Sequence, residues 1–87
     1  MDDQLDEADL KAIEDRCASA SAGPWRSFIE GREQMSGSSF IQTGPPDGPD
    51  IYLSGGTDAD QDFIAAARQD IPRLINEIRR LRTAAAK

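Results

Sequence analysis

The chain has 87 residues, a net charge of −6 and only five aromatic residues, which suits one small domain over residues 1–87 with a thin core. A domain of this size buries only roughly 60–65% of its unfolded surface, so we expect its stability to be shared with a second copy. The acidic balance argues against non-specific binding to nucleic acid or to anionic membranes. A single cysteine, an acidic N-terminus unlike a secretory signal and the lack of a long apolar run lead us to expect a cytosolic protein.

The first predicted element is an amphipathic helix from residue 4 to residue 22. Acidic side chains crowd residues 2–9, where they meet the positive end of the helix dipole. Gly23 and Pro24 end the helix, because glycine suits the left-handed cap and proline cannot continue the hydrogen-bond ladder. Apolar residues three or four positions apart form one stripe along it: Leu10, Ile13, Cys17 and Ala20.

Three short antiparallel strands are predicted between residues 25 and 54, in the pieces WRSFIE, SFIQT and DIYLS. Each piece is rich in β-branched and aromatic residues, and glycine, serine and proline separate them. The connections fall at residues 31–37 and 44–50, and the three prolines of the second connection forbid continued sheet pairing.

The last region is predicted as a pair of helices. Thr57 and Asp60 have the spacing of a capping box, so a helix begins at Asp58. Proline is best tolerated in a first helical turn, so Pro72 predicts a break near residue 69 and a second helix capped by Asp70. The apolar residues of that second helix recur at spacings of three and four and predict an oligomer seam: Ile71, Leu74, Ile75, Ile78 and Leu81.

Together these elements predict an oligomeric α+β fold with an N-terminal helix, a short three-stranded antiparallel sheet and a C-terminal helix pair broken near Pro72. No catalytic site is indicated, since the chain has no histidine and Cys17 has no imidazole partner. Asp58, Asp60 and Asp62 alternate as at the start of an EF-hand, but the loop glycine and terminal glutamate are missing. We therefore expect a protein that is not an enzyme and that needs no metal and no cofactor.

Positive charge is concentrated at the C-terminal end. Residues 68–87 contain six basic and two acidic residues, whereas residues 1–67 contain four basic and fourteen acidic ones. Such an asymmetry indicates a directed anion site or a self-association face. Guanidinium groups bind phosphate oxygens in a bidentate manner and stack on bases, so an arginine-rich helix suits a nucleotide-like anion. The alternative is a solvated flank of a coiled coil, in which arginine stems cover the apolar seam.

Five polar residues of the C-terminal helix are the candidate ligands for phosphate: Arg73, Asn76, Arg79, Arg80 and Arg82. Arg79 and Arg82 are three residues apart, and Asn76 and Arg80 are four apart, so each pair can converge on one ligand. Arg73 lies about one turn before Asn76.

Three aromatic residues have two open interpretations. Trp25 follows Gly23-Pro24 and either seals the core between helix and sheet or stacks on a ligand. Phe40 and Tyr52 lie on strands beside the proline-rich connection, where they face either the core or a pocket.

Two segments resemble a known group of proteins. They are Gly23-Pro24-Trp25 after the first helix, and a stretch from Asp60 to Arg82 that follows the form DAxFIAxARxDxPxLIxEIxxLR except at Gln61. They are similar to small phage and prophage proteins, among them the Ead-like early phage proteins and the first group of Thoeris anti-defence (Tad) proteins. The resemblance covers roughly the first 25 and last 30 residues.

For the Tad-like group, the resemblance implies an α+β protomer that oligomerises through its helices and sequesters a cyclic nucleotide immune signal without degrading it. The expected function is then that of a phage anti-defence sponge, with a phosphate-bearing signalling nucleotide held between protomers. The resemblance also implies that Arg79, Arg80 and Arg82 hold phosphates and that one of the three aromatic residues stacks on a base. The rival hypothesis is a phage accessory protein that binds a host protein through its acidic face, with the arginines only flanking a dimer seam.

Overall fold

A computed structural model describes residues 4–86 as two helices and a three-stranded antiparallel sheet. Residues 1–3 and 87 lie outside the described residues, and with them the first part of the acidic helix start. The α+β class, the strand number and their antiparallel order are confirmed. In chain order the elements are α1 (Glu7–Ser19), β1 (Arg26–Phe28), β2 (Phe40–Gln42), β3 (Asp50–Ile51) and α2 (Asp58–Ala85).

Helix α1 begins with a reciprocal cap. The Asp9 backbone N–H donates to the Asp6 carboxylate at 2.8 Å, and the Asp6 N–H donates to the Asp9 carboxylate at 2.9 Å. The first of these bonds lowers the pKa of Asp6 below its usual value, because it favours the charged carboxylate. The helix ends at Ser19, three residues earlier than predicted, because Ala20 adopts an extended backbone conformation.

The sheet has a helix-facing side and an outer side. Ser27, Ile41 and Ile51 pair across the three strands as one row, α2 packs on the β1 and β2 part of that row, and Ile41 is fully buried. Phe28 and Phe40 pair in the next row and point the other way, as the two-residue period of a strand requires. Strand order follows chain order, so the sheet is a simple meander.

Helix α2 is one continuous helix, which corrects the predicted break near Pro72. Its start is as predicted, since Thr57 is the N-cap and exchanges hydrogen bonds of 3.0 Å with Asp60. Pro72 lies inside the helix, where the missing N–H and the ring cost about 3 kcal/mol. The helix continues because residues on both sides of Pro72 are buried, Ala65 before it and Ile75 after it. The free energy of packing on both sides therefore outweighs the helix-breaking tendency of Pro72.

Two glutamine side chains join α2 to the rest of the fold. Gln61, only 5% exposed, donates from Nε2 to the Ser27 hydroxyl and to the carbonyls of Phe28 and Phe40, at 2.9 to 3.2 Å. The Gln69 amide pairs with the backbone of Trp25, accepting from its N–H at 2.7 Å and donating to its C=O at 3.2 Å. Buried apolar side chains complete the core: Leu10, Ile29, Ile41, Ala65 and Ile75.

The connection between β2 and β3 packs on the segment that follows α1. The Gly44 N–H donates to the Ala22 carbonyl at 2.8 Å. A Cβ atom at Gly44 would collide with the backbone of Ala22 and Gly23, so only glycine permits this close approach. The Thr43 hydroxyl donates to the Pro49 carbonyl at 2.8 Å and closes the proline-rich loop.

Candidate ligand groove on the second helix

One face of α2 carries an open groove of about 660 Å³, which we call the α2 groove. Each residue turns the helix by about 100°, so positions three, four and seven apart share this face. Three of the five predicted phosphate ligands lie in the groove. Its lining residues all belong to α2: Asp70, Arg73, Leu74, Asn76, Glu77 and Arg80.

Some polar side chains of the α2 groove already form hydrogen bonds within the protomer, and others do not. Arg80 holds Glu77 through two hydrogen bonds, Nε to Oε1 at 2.9 Å and Nη2 to Oε2 at 2.6 Å, and this contact lowers the pKa of Glu77. The side chains of Arg73, Asn76 and Asp70 make no hydrogen bond or ion pair with the residues that the structure describes. Arg73 is therefore the guanidinium that is free to meet an anion.

Arg79 and Arg82 lie on a different face of α2 and hold α1. Arg79 contacts the Glu7 carboxylate at 2.7 Å and the Glu14 carboxylate at 2.5 Å. The Glu14 hydrogen bond is the main reason that the pKa of Arg79 is raised. Arg82 donates to the backbone carbonyl of Leu5. The two arginines therefore contact the N-terminal part of the same protomer, at different groups and not at one shared partner.

Trp25 lies at the junction of α1, the sheet and α2. Its indole Nε1–H donates to the Ser21 carbonyl at 3.0 Å, and the Arg68 Nε–H donates to the same oxygen at 2.9 Å. The two segments of the family resemblance therefore meet at this point. The ring is half-buried and lines a second, apolar groove between α1 and α2, which shares no residue with the α2 groove.

Phe40 and Tyr52 lie on the outer side of the sheet, away from α2. Phe28 and Phe40 stack with centroids 5.1 Å apart and planes 8° apart, and Tyr52 follows at 6.0 Å from Phe40. Arg26 covers the Phe28 ring at 5.2 Å, and Tyr52 is 62% exposed. Sequence reasoning missed Phe28 and Arg26, although their alternation with Ser27 places them on the same side of a strand.

The predicted seam residues divide between surface and core. Leu74 and Leu81 are 60% and 53% exposed, Ile71 is also exposed and Ile78 is half-buried. Ile75 lies in the protomer core, on the face of α2 that packs against α1. The structure therefore leaves four of the five residues near or at the surface.

The alternating aspartates at the start of α2 have structural partners. Asp60 completes the Thr57 cap, and Asp62 forms a bidentate pair with Arg32 at 2.8 and 2.9 Å. Hydrogen bonds from Arg32 lower the pKa of Asp62 to about 2. Within residues 4–86 no group of three or more acidic or cysteine side chains is arranged to hold a metal ion.

Charge in the α2 groove is balanced, since Arg73 and Arg80 face Asp70 and Glu77. A phosphate can take a bidentate contact from Arg73 and a hydrogen bond from the Asn76 amide. Asp70 repels the same anion, so firm binding requires further positive groups beside the groove.

Comparison with protein-family models, with characterised proteins and with solved structures gives no match. Of the two helices in the described range, neither has the combination of length and apolar character needed to cross a membrane.

Proposed function

We propose that this protein acts by binding, as a non-enzymatic phage anti-defence protein that sequesters a cyclic nucleotide immune signal. The observation that carries the proposal is the unpaired Arg73 guanidinium, which lies in one groove with Asn76 and Arg80. Guanidinium groups donate to phosphate oxygens, and a side-chain amide both donates and accepts, as a base edge requires. The family resemblance supplies the class of ligand.

The ligand lies between protomers, because one protomer supplies only one wall. All residues of the α2 groove come from a single helix, and Leu74 belongs both to this groove and to the exposed apolar surface beside it. A second copy that covers Leu74 adds an opposite wall. Enclosure lowers the local dielectric and strengthens each contact between arginine and phosphate.

Calorimetric titration with cyclic mono- and dinucleotides, and with inorganic phosphate as a simple anion, tests the proposal. We expect heat of binding and a raised Tm with at least one nucleotide, and recovery of that nucleotide intact. Arg73→Gln removes one charge-assisted contact and weakens binding by about 10- to 100-fold. Lys11→Gln is the matched control, since it removes one positive charge from the surface of α1 and should bind as the native protein does.

The proposal fails if no nucleotide of the panel changes the Tm or gives heat, or if Arg73→Gln binds as tightly as Lys11→Gln. Arg79 and Arg82 are unsuitable for this test. Their substitution releases α1, so lost binding would report loosened packing as well as a lost ligand contact.

A second candidate is a phage accessory protein that binds a host protein through its acidic face. The observation that favours it is the commitment of Arg79 and Arg82 to α1, which removes two of the five predicted ligands from any small-molecule site. Under this alternative, Arg73→Gln retains activity in cells. Charge reversal at Asp47 and Asp50, two acids without an ion pair in the described residues, abolishes it.

A further inference from the structure

We propose that two copies associate in parallel and in register through an exposed seam on α2. This inference rests on the self-association in the proposed function and is independent of any nucleotide. The seam has a spacing of three and four residues throughout, which is the pattern of positions a and d in a coiled coil. This exposed seam leaves out Ile75 of the predicted oligomer seam, which is buried, and extends toward the start of α2. Its members are Ile64, Ala67, Ile71, Leu74, Ile78 and Leu81.

The seam is separate from the core of the protomer. Gln61, Ala65 and Ile75 face the sheet and α1, whereas the seam lies about a third of a turn around α2. Leu74 and Leu81 are more than half exposed, and Ile64 and Ile71 are each 37% exposed. The seam runs for about 26 Å along the helix, long enough for several layers of side-chain packing. An apolar stripe of this length on a small domain indicates a protein interface.

The apolar groove between α1 and α2 extends the seam. It has a volume of about 520 Å³ and contains Ile64, Ala67 and Ile71 of the seam. On the α1 side it is lined by the stripe predicted from the sequence, Ile13, Cys17 and Ala20. A second helix placed on the seam therefore contacts α1 as well as α2, as in a helix bundle.

Charge on the two sides of the seam fixes the orientation. Arg68 and Arg82 lie on the side nearer α1, where both donate to backbone carbonyls and neither forms an ion pair with the described residues. Asp70 and Glu77 lie on the opposite side, where Arg80 already holds Glu77 and the Asp70 side chain has no partner among the described residues. In a parallel pair, the acidic side of each copy faces the basic side of the other. In an antiparallel pair, like charges face each other, which is unfavourable.

Arg16 reinforces the same orientation. It lies on α1 at the edge of the apolar groove and has no ion pair with the described residues. It therefore adds to the basic side formed by Arg68 and Arg82, opposite the acidic side of a parallel second copy. A partner helix with acidic side chains along this edge would complement Arg16. In a parallel pair, α2 of the second copy carries Asp70 and Glu77 on the side that faces this edge.

Parallel association also changes the α2 groove, because Asp70 and Glu77 form its rim next to the seam. The basic side of the second copy then lies beside this rim. The basic side of the second copy thereby adds positive charge to a groove that has no net charge in a single protomer. The site for an anion is therefore complete only in the pair, with Arg73 from one copy and the basic side from the other.

Cysteine cross-linking without nucleotide tests the orientation. In a Cys17→Ser background, Ile64→Cys and Leu81→Cys place one thiol at each end of the seam. A parallel pair sets each position opposite itself, within the Cα separation of about 4.4–6.8 Å that a disulfide needs. Each variant alone should form a disulfide dimer under mild oxidation. Ala66→Cys, exposed and outside the seam, is the control that should stay monomeric on a non-reducing gel.

An antiparallel pair gives a different pattern, in which neither variant cross-links alone but a mixture of the two does, and that result overturns the inference. Sedimentation of the native protein provides the second measurement. We expect a dimer, and Leu74→Lys should raise the dimer dissociation constant at least about tenfold. A native protein that sediments as a monomer at about 100 µM also overturns the inference. Titration of that monomer with nucleotide then judges the proposed function separately.

Discussion

Replacement of Gln61 by Met should lower the free energy of unfolding, even though it puts an apolar side chain at a buried position. Gln61 is buried beneath the sheet, and its Nε2 donates to Ser27, Phe28 and Phe40. Methionine has nearly the same length and shape, so the core loses little packing. The Ser27 hydroxyl and the two backbone carbonyls lose a side-chain donor, however, while Phe28 and Phe40 remain partners in the β1–β2 register.

The expected loss follows from the hydrogen bonds that are removed. An amide NH2 group carries two hydrogens, so the change removes two hydrogen bonds shared among three acceptors. Each contributes about 0.5–1.5 kcal/mol, which gives a loss of about 1–3 kcal/mol. A domain of this size loses about 4–8 °C of Tm per kcal/mol, so the Tm falls by roughly 4–24 °C. Gln61→Glu should be worse near pH 7, because a carboxylate there faces only oxygen acceptors.

Urea unfolding followed by Trp25 fluorescence measures the effect, with all proteins at one concentration so that association contributes equally. Gln42→Met is the matched control. Gln42 lies exposed on β2, so its replacement should change the free energy of unfolding by less than about 0.5 kcal/mol. A Gln61→Met protein as stable as the control would refute the reasoning that this amide satisfies buried carbonyls.

Three further variants test other parts of the fold. Arg79→Gln should lower the Tm by releasing α1, and the difference from the native protein should shrink in 0.5 M salt because the pair with Glu14 is half-exposed. Asp62 has a folded pKa of about 2 against an ordinary value of 3.8, so its pairing with Arg32 stabilises the fold above about pH 4. That contribution is lost as the pH falls through about 2, and Asp62→Asn should flatten this part of the curve of Tm against pH. Pro72→Ala should raise the free energy of unfolding by about 1–2 kcal/mol, since a helix hydrogen bond is restored at the cost of a more flexible unfolded chain.

Each of these variants has an outcome that contradicts its reasoning. For Arg79→Gln it is a Tm difference that is the same at low and high salt. For Asp62→Asn it is a pH profile between 2 and 5 that matches the native one. For Pro72→Ala it is a loss of stability, which would show that the proline ring contributes more by packing than it costs in the helix.

The elements themselves could be predicted from local chemistry, and the departures have physical causes. The Thr57 cap and the strand pieces depend on neighbouring residues, which the sequence displays. The path of α2 through Pro72 depends on burial of Ala65 and Ile75 against distant segments, which no local signal reveals. The continuity of this helix is a case in which tertiary packing overrides propensity.

The sequence shows which polar residues lie on the C-terminal helix, but not which way each side chain points or what it contacts. The spacing of Arg79 and Arg82 places them near each other on α2, but the groups that they contact depend on where α1 lies. Gln61 carried no sequence signal of its role, because a glutamine in an acidic helix start is typical of a solvated face. Arg73 was among the predicted ligands. Only the structure distinguishes it from the other three predicted arginines, since its side chain alone of the four is unpaired among the described residues.

Helix α2 is the common support of the fold, since α1, β1 and β2 each pack on it, whereas in the described residues α1 does not pack on any strand. Detachment of α1 uncovers Ile75 but leaves Ala65 beneath the sheet, and detachment of the sheet does the reverse. We therefore expect two distinct partial openings, linked where Gly44 bonds to Ala22. Backbone amides of α1 and of the strands should then exchange with solvent at different rates, while the middle of α2 should keep its protons until the whole chain unfolds.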